Sequence, residues 1–176
     1  MNWSPSEKLL TLKDIAKAIS FDQSDEGIAR TMRQVRHWTQ NDLLPTFSGK
    51  ETGKGIPRLY QDEPTIEIAA ILQELSRYGA TVDVMAHLTK ELMDTDEGYM
   101  AISAAQTDEI IAFAQVSWKA DSTTGKFIGA NVEFFDEYEL VAYAAKGSVP
   151  LDQDSTSSIL INITAVMSRV YKNWRK

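Results

Sequence analysis

The sequence predicts a mainly α-helical N-terminal winged helix-turn-helix over residues 10–93, followed by a small α+β domain over residues 99–176. Apolar residues recur at the three- and four-residue spacing of helices through most of the first half. A segment with three glycines and a proline, SGKETGKGIP at 48–57, interrupts that pattern and excludes a helix there. The alternating residues typical of strands appear after residue 109, which indicates a second domain of different architecture.

Local signals mark the first helix. Residues 1–9 are expected to be a tail. Thr11 is a good N-cap, and Asp14 stands at the third helical position, as in a capping box. An apolar stripe then predicts a helix over 12–19, which we expect to pack across the helix that follows it.

The second helix is expected to begin after Ser24, a favourable N-cap, and to end at Leu43-Leu44-Pro45. Its buried face is predicted from residues three and four positions apart, Ile28, Met32, Val35 and Thr39. Its opposite face and flanks carry basic and aromatic residues, Arg30, Arg33, Arg36, His37 and Trp38. Such a helix buries one face and offers positive charge on the other.

Positive charge is concentrated between Arg30 and Arg58. This stretch holds six Lys or Arg, including Lys50 and Lys54 in the loop, and two acidic residues, a net charge of +4. The whole chain carries −7, so the remainder carries −11. A basic helix followed by a basic hairpin suits duplex DNA, because the helix fits the major groove and the hairpin lies along the backbone or minor groove. A solvated helix face followed by a flexible loop is the alternative that charge alone leaves open.

The order of residues in this stretch resembles the DNA-binding domain of the MerR family of bacterial transcription regulators. That family has an arginine and an aromatic residue late in the recognition helix, a leucine pair at its end, and an Arg-x-Tyr sequence that closes a wing. The matching residues here are Arg36, Trp38, Leu43, Leu44, Arg58 and Tyr60. The resemblance covers residues 10–93. It departs from the family at Asp42, where glycine is usual, in a longer connection at 20–26, and in the absence of cysteine.

The resemblance implies a homodimeric, sequence-specific transcription regulator that binds double-stranded DNA. It also implies binding near an overlong promoter spacer, whose distortion helps RNA polymerase. The residues expected to meet the DNA are Arg30, Arg33, Arg36, His37, Trp38, Lys50, Lys54, Arg58 and Tyr60. Of these, Trp38 and Tyr60 are expected to support the junction between helix and wing, each offering its polar tip to a phosphate.

Two more helices are expected after the wing. Helix 63–78 presents an apolar face and ends at Gly79, a natural C′ residue. Thr81 then begins a helix to about residue 93, which is too short for the long antiparallel coiled coil of the family. The sequence leaves open whether dimerisation uses this helix or the C-terminal domain, which is expected to bind the partner subunit or an effector.

The second half mixes strands and helices. Residues 99–107 are consistent with a helix or a loop, and 138–145 with a strand or a short helix. Strands are predicted at 110–118 and 126–135, paired as a hairpin, and at 158–163 before a last helix capped by Thr164. Its aromatic residues could line a ligand pocket, but such residues more often form a core.

Several kinds of chemistry are not expected. The absence of cysteine excludes disulfides and zinc–thiolate sites and fits a reducing cytoplasm. The two histidines, His37 and His87, lie outside the GxSxG and HExxH motifs, and GKETGKG lacks P-loop spacing. No apolar run reaches membrane-spanning length. We therefore expect no enzymatic activity, no cofactor and no membrane partner. One acidic cluster could bind a cation but is more commonly a solvated edge, namely Glu133, Asp136, Glu137 and Glu139.

Two other functions remain open from sequence. An excisionase-like or architectural protein uses a similar module to bend DNA, although the large second domain counts against it. A protein-interaction adaptor would act instead through the acidic C-terminal half.

Overall fold

A computed structural model describes residues 9–47, 57–61, 64–107, 110–145 and 157–174 of the 176. Within these residues the chain is a mixed α/β protein with seven helices and two small antiparallel sheets. The helices are α1 Leu12–Ile19, α2 Asp25–Gln40, α3 Thr65–Arg77, α4 Val82–Asp94, α5 Asp96–Thr107, α6 Glu137–Ala145 and α7 Ile163–Trp174. The strands are β1 Leu9–Thr11, β2 Leu59–Gln61, β3 Ala112–Ala120, β4 Phe127–Asp136 and β5 Ser157–Asn162. None of these helices is both long and apolar enough to cross a membrane.

The chain forms two compact units. The first comprises Met1–Gln73 together with Arg169–Lys176, and the second comprises Glu74–Ser168. These ranges differ from the domains expected at 10–93 and 99–176. Helix α4 belongs to the second unit, and the end of α7 belongs to the first. The first unit is therefore discontinuous in sequence.

In the first unit, α1 begins as the sequence predicted. The backbone N–H of Asp14 donates to the Thr11 hydroxyl (3.3 Å), and the Asp14 carboxylate accepts from the Thr11 N–H (2.9 Å), which is a complete capping box. The expected tail is wrong at Leu9, because this residue opens β1. Strand β1 pairs antiparallel with β2, with Leu10 opposite Tyr60. The start of the chain's described part is thus joined to the segment that follows the glycine-rich loop.

Helix α3 is buried around most of its circumference. Both the predicted apolar stripe and the residues beside it are inaccessible, namely Ile66, Ile68, Ala69, Ala70, Ile71, Leu72 and Leu75. The helix stops before Gly79, whose φ of 76° is the left-handed conformation that favours glycine after a helix. Thr81 then caps α4, as predicted, by accepting from the backbone N–H of Val84.

The second unit packs α4 and α5 with a three-stranded antiparallel sheet in the order β4-β3-β5. The predicted hairpin and final strand are confirmed within a few residues of their expected bounds. Both segments that the sequence left open are helical, as α5 and α6. The predicted Thr164 cap is wrong. Asn162 accepts from the N–H of Ala165 (2.8 Å), while Thr164 accepts from the N–H of Ala112 (2.9 Å).

Candidate nucleic-acid interface

One face of α2 is held in the core of the first unit. Val35 and Thr39 are completely buried, and Trp38 is 2% exposed. The Thr39 hydroxyl donates to the Val35 carbonyl (2.9 Å) and lies 2.9 Å from the hydroxyl of buried Tyr60. Because the single Thr39 proton is directed at Val35, the Tyr60 hydroxyl donates to Thr39. This bond joins α2 to β2 and limits rotation of the helix about its axis.

The buried face differs from the predicted one. Val35 and Thr39 lie on it as expected, but Ile28 and Met32 are only half-buried. Thr31 and Trp38 take their place in the core. The physical reason is the large apolar area of the Trp38 ring, whose burial turns the helix toward that side.

The outward face of α2 carries a continuous polar line. Its members follow one another at helical spacing and are all exposed, namely Glu26, Arg30, Arg33, His37 and Gln40. Arg36 is exposed beside this line. We call Arg30, Arg33, Arg36, His37 and Gln40 the outward stripe. Four of the five residues predicted on this helix surface therefore reach solvent, and the fifth, Trp38, does not.

Charge along the outward stripe is uneven. Arg30 lies 3.8 Å from the Glu26 carboxylate, and both side chains remain largely exposed, at 63% and 87%. The first turn of α2 also carries Asp25. Positive charge without an acidic neighbour on the helix therefore begins at Arg33 and extends toward the C-terminal end.

Gln40 was missed by the sequence argument, which followed charge alone. It stands seven positions after Arg33 on the same line and is exposed. A glutamine side chain can both donate and accept hydrogen bonds, as recognition of an adenine edge requires. The seven-residue spacing from Arg33 was the available signal.

The end of α2 places Asp42 in a backbone conformation that is usual for glycine. The N–H of Asp42 donates to the Thr39 carbonyl (3.3 Å) and that of Leu43 to the Trp38 carbonyl (2.9 Å), the two bonds of a Schellman motif. Asp42 has a φ of 61°, in the left-handed region. Aspartate tolerates this conformation better than most non-glycine residues. The helix therefore ends in the glycine-type geometry without glycine.

His37 is oriented by the same helix end. The Asn41 side-chain amide donates to the His37 carbonyl (2.8 Å) and lies 3.3 Å from ring Nδ1. An amide nitrogen can only donate, so the tautomer that satisfies this contact accepts at Nδ1 and has Nε2 as its donor. Nε2 is then the nitrogen that His37 offers to a partner.

Trp38 and Tyr60 are core residues, which corrects the expectation that their polar tips reach phosphates. Trp38 is 2% exposed, and Tyr60 is buried with its hydroxyl bonded to Thr39. Burial raises the pKa of Tyr60, while the positive charges of Arg58 and Arg36 oppose that rise. Arg36 and Arg58 thus lie near the same hydroxyl, one from the helix and one from the entry to β2.

The described residues on either side of the glycine-rich segment are hydrogen-bonded to each other. The N–H of Phe47 donates to the Leu59 carbonyl (2.9 Å), which brings the two ends of segment 48–56 together. Lys50 and Lys54 belong to that segment and lie outside the described residues. Arg58 is described and half-buried. Strand β2, which Arg58 precedes, contacts the C-terminal half of α2 through Tyr60 and Thr39.

The acidic cluster of the second unit has structural roles. Asp136 and Glu139 form a reciprocal capping box at the start of α6, each carboxylate accepting from the other residue's N–H (3.1 and 2.8 Å). Glu137 accepts from the N–H of Ile111 (2.7 Å). In the part of the chain that the structure describes, no group of three or more His, Asp or Glu is placed to hold a metal ion.

Comparisons of this chain with protein-family models, with curated proteins and with solved structures find no match.

Replacing Asp42 by glycine should stabilise the protein. Glycine adopts the left-handed conformation without steric cost, so we expect the free energy of unfolding to rise by about 0.5–1 kcal/mol. Asp42→Asn is the matched control, since it removes the negative charge from the helix C-terminus but keeps a side chain at φ 61°. Urea denaturation should rank glycine above asparagine and asparagine above the wild type. A glycine variant less stable than the wild type would contradict this account.

Tyr60→Phe should alter the dependence of stability on alkaline pH. The raised pKa of Tyr60 means that its contribution is complete below the unfolded-state pKa of about 10 and is lost as pH rises through the folded value. At pH 8 the variant should lose about 1 kcal/mol with the Thr39 hydrogen bond. That difference should shrink in urea titrations as the pH rises above about 10, because the unfolded tyrosine then ionises before the folded one. Tyr138→Phe is the control at pH 8, where removal of a hydroxyl from a residue 74% exposed should leave stability at the wild-type value.

Proposed function

We propose that this protein is a sequence-specific, DNA-binding transcription regulator of MerR-like type that acts as a homodimer. In this proposal the first unit is a winged helix-turn-helix. The observation that carries the proposal is the outward stripe of α2, which is basic, exposed and opposed by a buried face. A helix of this kind fits the major groove, where its side chains reach base edges while flanking cations meet phosphates.

Each part of the stripe has a proposed role. Arg33 stands directly opposite the buried face and reads bases, together with His37 and Gln40 one and two turns further on. Arg36, beside the line and near the loop base, meets a phosphate, as does Arg58 from the entry to β2. Lys50 and Lys54 of the glycine-rich loop add phosphate contacts as a wing. Trp38 and Tyr60 have no direct DNA contact in this proposal and support the junction from within the core.

The acidic remainder of the chain supports local rather than indiscriminate binding. Since the chain carries −7 and the region from Arg30 to Arg58 carries +4, DNA is attracted at this surface and repelled elsewhere. One helix and one wing contact only a few base pairs, which gives little selectivity in a genome. A two-fold dimer doubles the contacts and requires a two-fold site. The MerR resemblance adds a promoter spacer and RNA polymerase as the place and partner of action.

Arg33→Ala should reduce discrimination between DNA sequences, whereas Arg36→Ala should weaken binding to all sequences alike. A base-reading arginine contributes about 1–3 kcal/mol of discrimination, while a phosphate contact contributes none. The measurement is the affinity of each variant for a selected site and for random DNA at one salt concentration. An equal loss of the specific-to-random ratio in both variants would contradict the assigned roles.

The function itself is tested by selecting bound fragments from a genomic library and footprinting the full-length protein on them. We expect an inverted repeat. If about four cations of each module meet phosphates, a dimer neutralises about eight, and the slope of log affinity against log salt should be about −7. A slope shallower than about −3, or a footprint without two-fold symmetry, would favour an architectural protein that binds as a single module. Absence of DNA binding would favour the adaptor.

A further inference from the structure

The C-terminal end of α1 is capped by side chains from the other end of the chain. The last carbonyl groups of a helix have no partner within it. Here the Ile19 carbonyl accepts from the Arg169 guanidinium (2.7 Å), and the Ala18 carbonyl accepts from the Asn173 side-chain amide (3.3 Å). A cation at a helix C-terminus is also favoured by the helix dipole. Residues 150 positions away thus complete this helix end.

Arg169 makes two further contacts in the same unit. Its guanidinium carbon lies 3.7 Å from the centre of the Phe21 ring, which is cation–π geometry. It also lies 3.4 Å from the side-chain oxygen of Gln73 on α3. One guanidinium therefore joins the end of α1, the connection that follows it, and α3. The planar five-donor fork of arginine suits such a junction better than lysine does.

The connection between α1 and α2 is held to α2 by a side-chain hydrogen bond and by close backbone packing. The Ser20 hydroxyl donates to the Asp22 carbonyl (2.7 Å) and lies 3.2 Å from the hydroxyl of Thr31, on the buried face of α2. The Asp22 carbonyl also approaches α2 so closely that a Cβ on Gly27 would fall 2.2 Å from it. A displacement of residues 20–22 therefore displaces the first two turns of α2.

We infer that Arg169 is a positioning residue for the DNA-binding helix α2. Its guanidinium holds the end of α1 and the Phe21 ring, and through the bonded connection it sets where the outward stripe lies. The expected effect of Arg169 on DNA affinity rests on the proposed function. Its expected effect on the positions of residues 20–31 does not. This role of Arg169 goes beyond the proposed function, because Arg169 acts without contacting DNA.

The test compares Arg169→Ala with Lys172→Ala in the full-length protein. Lys172 is the exposed cation three residues further along α7, so its removal changes the net charge equally. We expect Arg169→Ala to weaken binding to the selected site between about two- and thirtyfold, the usual range for residues that act through a packed network. Its salt slope should stay at the wild-type value, because no phosphate contact is lost. Lys172→Ala should bind as the wild type does.

A second measurement separates positioning from general destabilisation. Amide hydrogen exchange in Arg169→Ala should accelerate in residues 20–31 while α4 and α5 keep wild-type protection. Arg169→Lys should restore part of the affinity, since it keeps the charge over Phe21 but loses the fork. If Arg169→Ala fails to fold, Phe21→Ala replaces it, because that ring is 45% exposed and its removal leaves the Ile19 hydrogen bond in place.

The outcomes distinguish this inference from the proposed function. If the wild type binds no DNA, the proposed function fails, and exchange in residues 20–31 alone decides whether Arg169 positions α2. If the wild type binds and Arg169→Ala binds equally well, the inference fails while the function stands. A salt slope reduced by about one in Arg169→Ala would show a direct phosphate contact and would also overturn it. Unchanged amide hydrogen exchange at residues 20–31 in Arg169→Ala would also overturn the inference.

Discussion

The first unit depends on one constraint, the burial of a single face of α2. Once Val35, Trp38 and Thr39 are withdrawn from water, the direction of every exposed cation on that helix is determined. The hydrogen bond between Thr39 and Tyr60 adds a directional restraint that apolar burial lacks, because the hydrophobic effect resists exposure but not small rotations. It also ties the helix to the strand that follows the glycine-rich loop. The arrangement of charge is thus a consequence of packing.

The same unit is completed only by the far end of the chain. Arg169 and Asn173 supply donors to carbonyls at the end of α1, and the Tyr171 hydroxyl donates to the buried carboxylate of Glu67 on α3 (2.5 Å). A fragment that ends before residue 169 lacks all three contacts. An unsatisfied buried polar group costs about 1–3 kcal/mol, a large share of the stability of a small domain. The proposed DNA-binding part thus includes residues from both ends of the chain, whereas the sequence predicted it over residues 10–93.

Electrostatics within the outward stripe divide it into two regions. Near the N-terminus of α2, Glu26 accompanies Arg30, and the pKa of Asp22 is lowered by its hydrogen bonds to Ser24, with a further contribution from the charge of Arg30. Toward the C-terminus, Arg33 and His37 have no acidic neighbour on the helix surface. The arginine side chains toward the second end would therefore attract phosphates more strongly than the acid-paired Arg30 at the first end. The proposed docking therefore centres on the last turns of α2 and on the adjoining loop base.

The sequence by itself determined what nearby residues decide. The caps of Thr11, Ser24 and Thr81, the helix end at Gly79, and the exposed cations of α2 all follow from chemistry within a few positions along the chain. These features can be predicted because their interactions form within a single turn. Much of the candidate site, including Arg33, Arg36 and His37, belongs to this class.

Tertiary structure alone decided the rest. It made Trp38 and Tyr60 core residues rather than contacts, because a ring on the flank of a helix is buried or exposed according to what packs against it. It also paired Leu9 with β2 and brought Arg169 to Ile19 across 150 residues. Contacts between distant segments produce no repeating pattern in the sequence. Each residue could pack against several different segments without changing its local structure. Only the folded chain chooses among them.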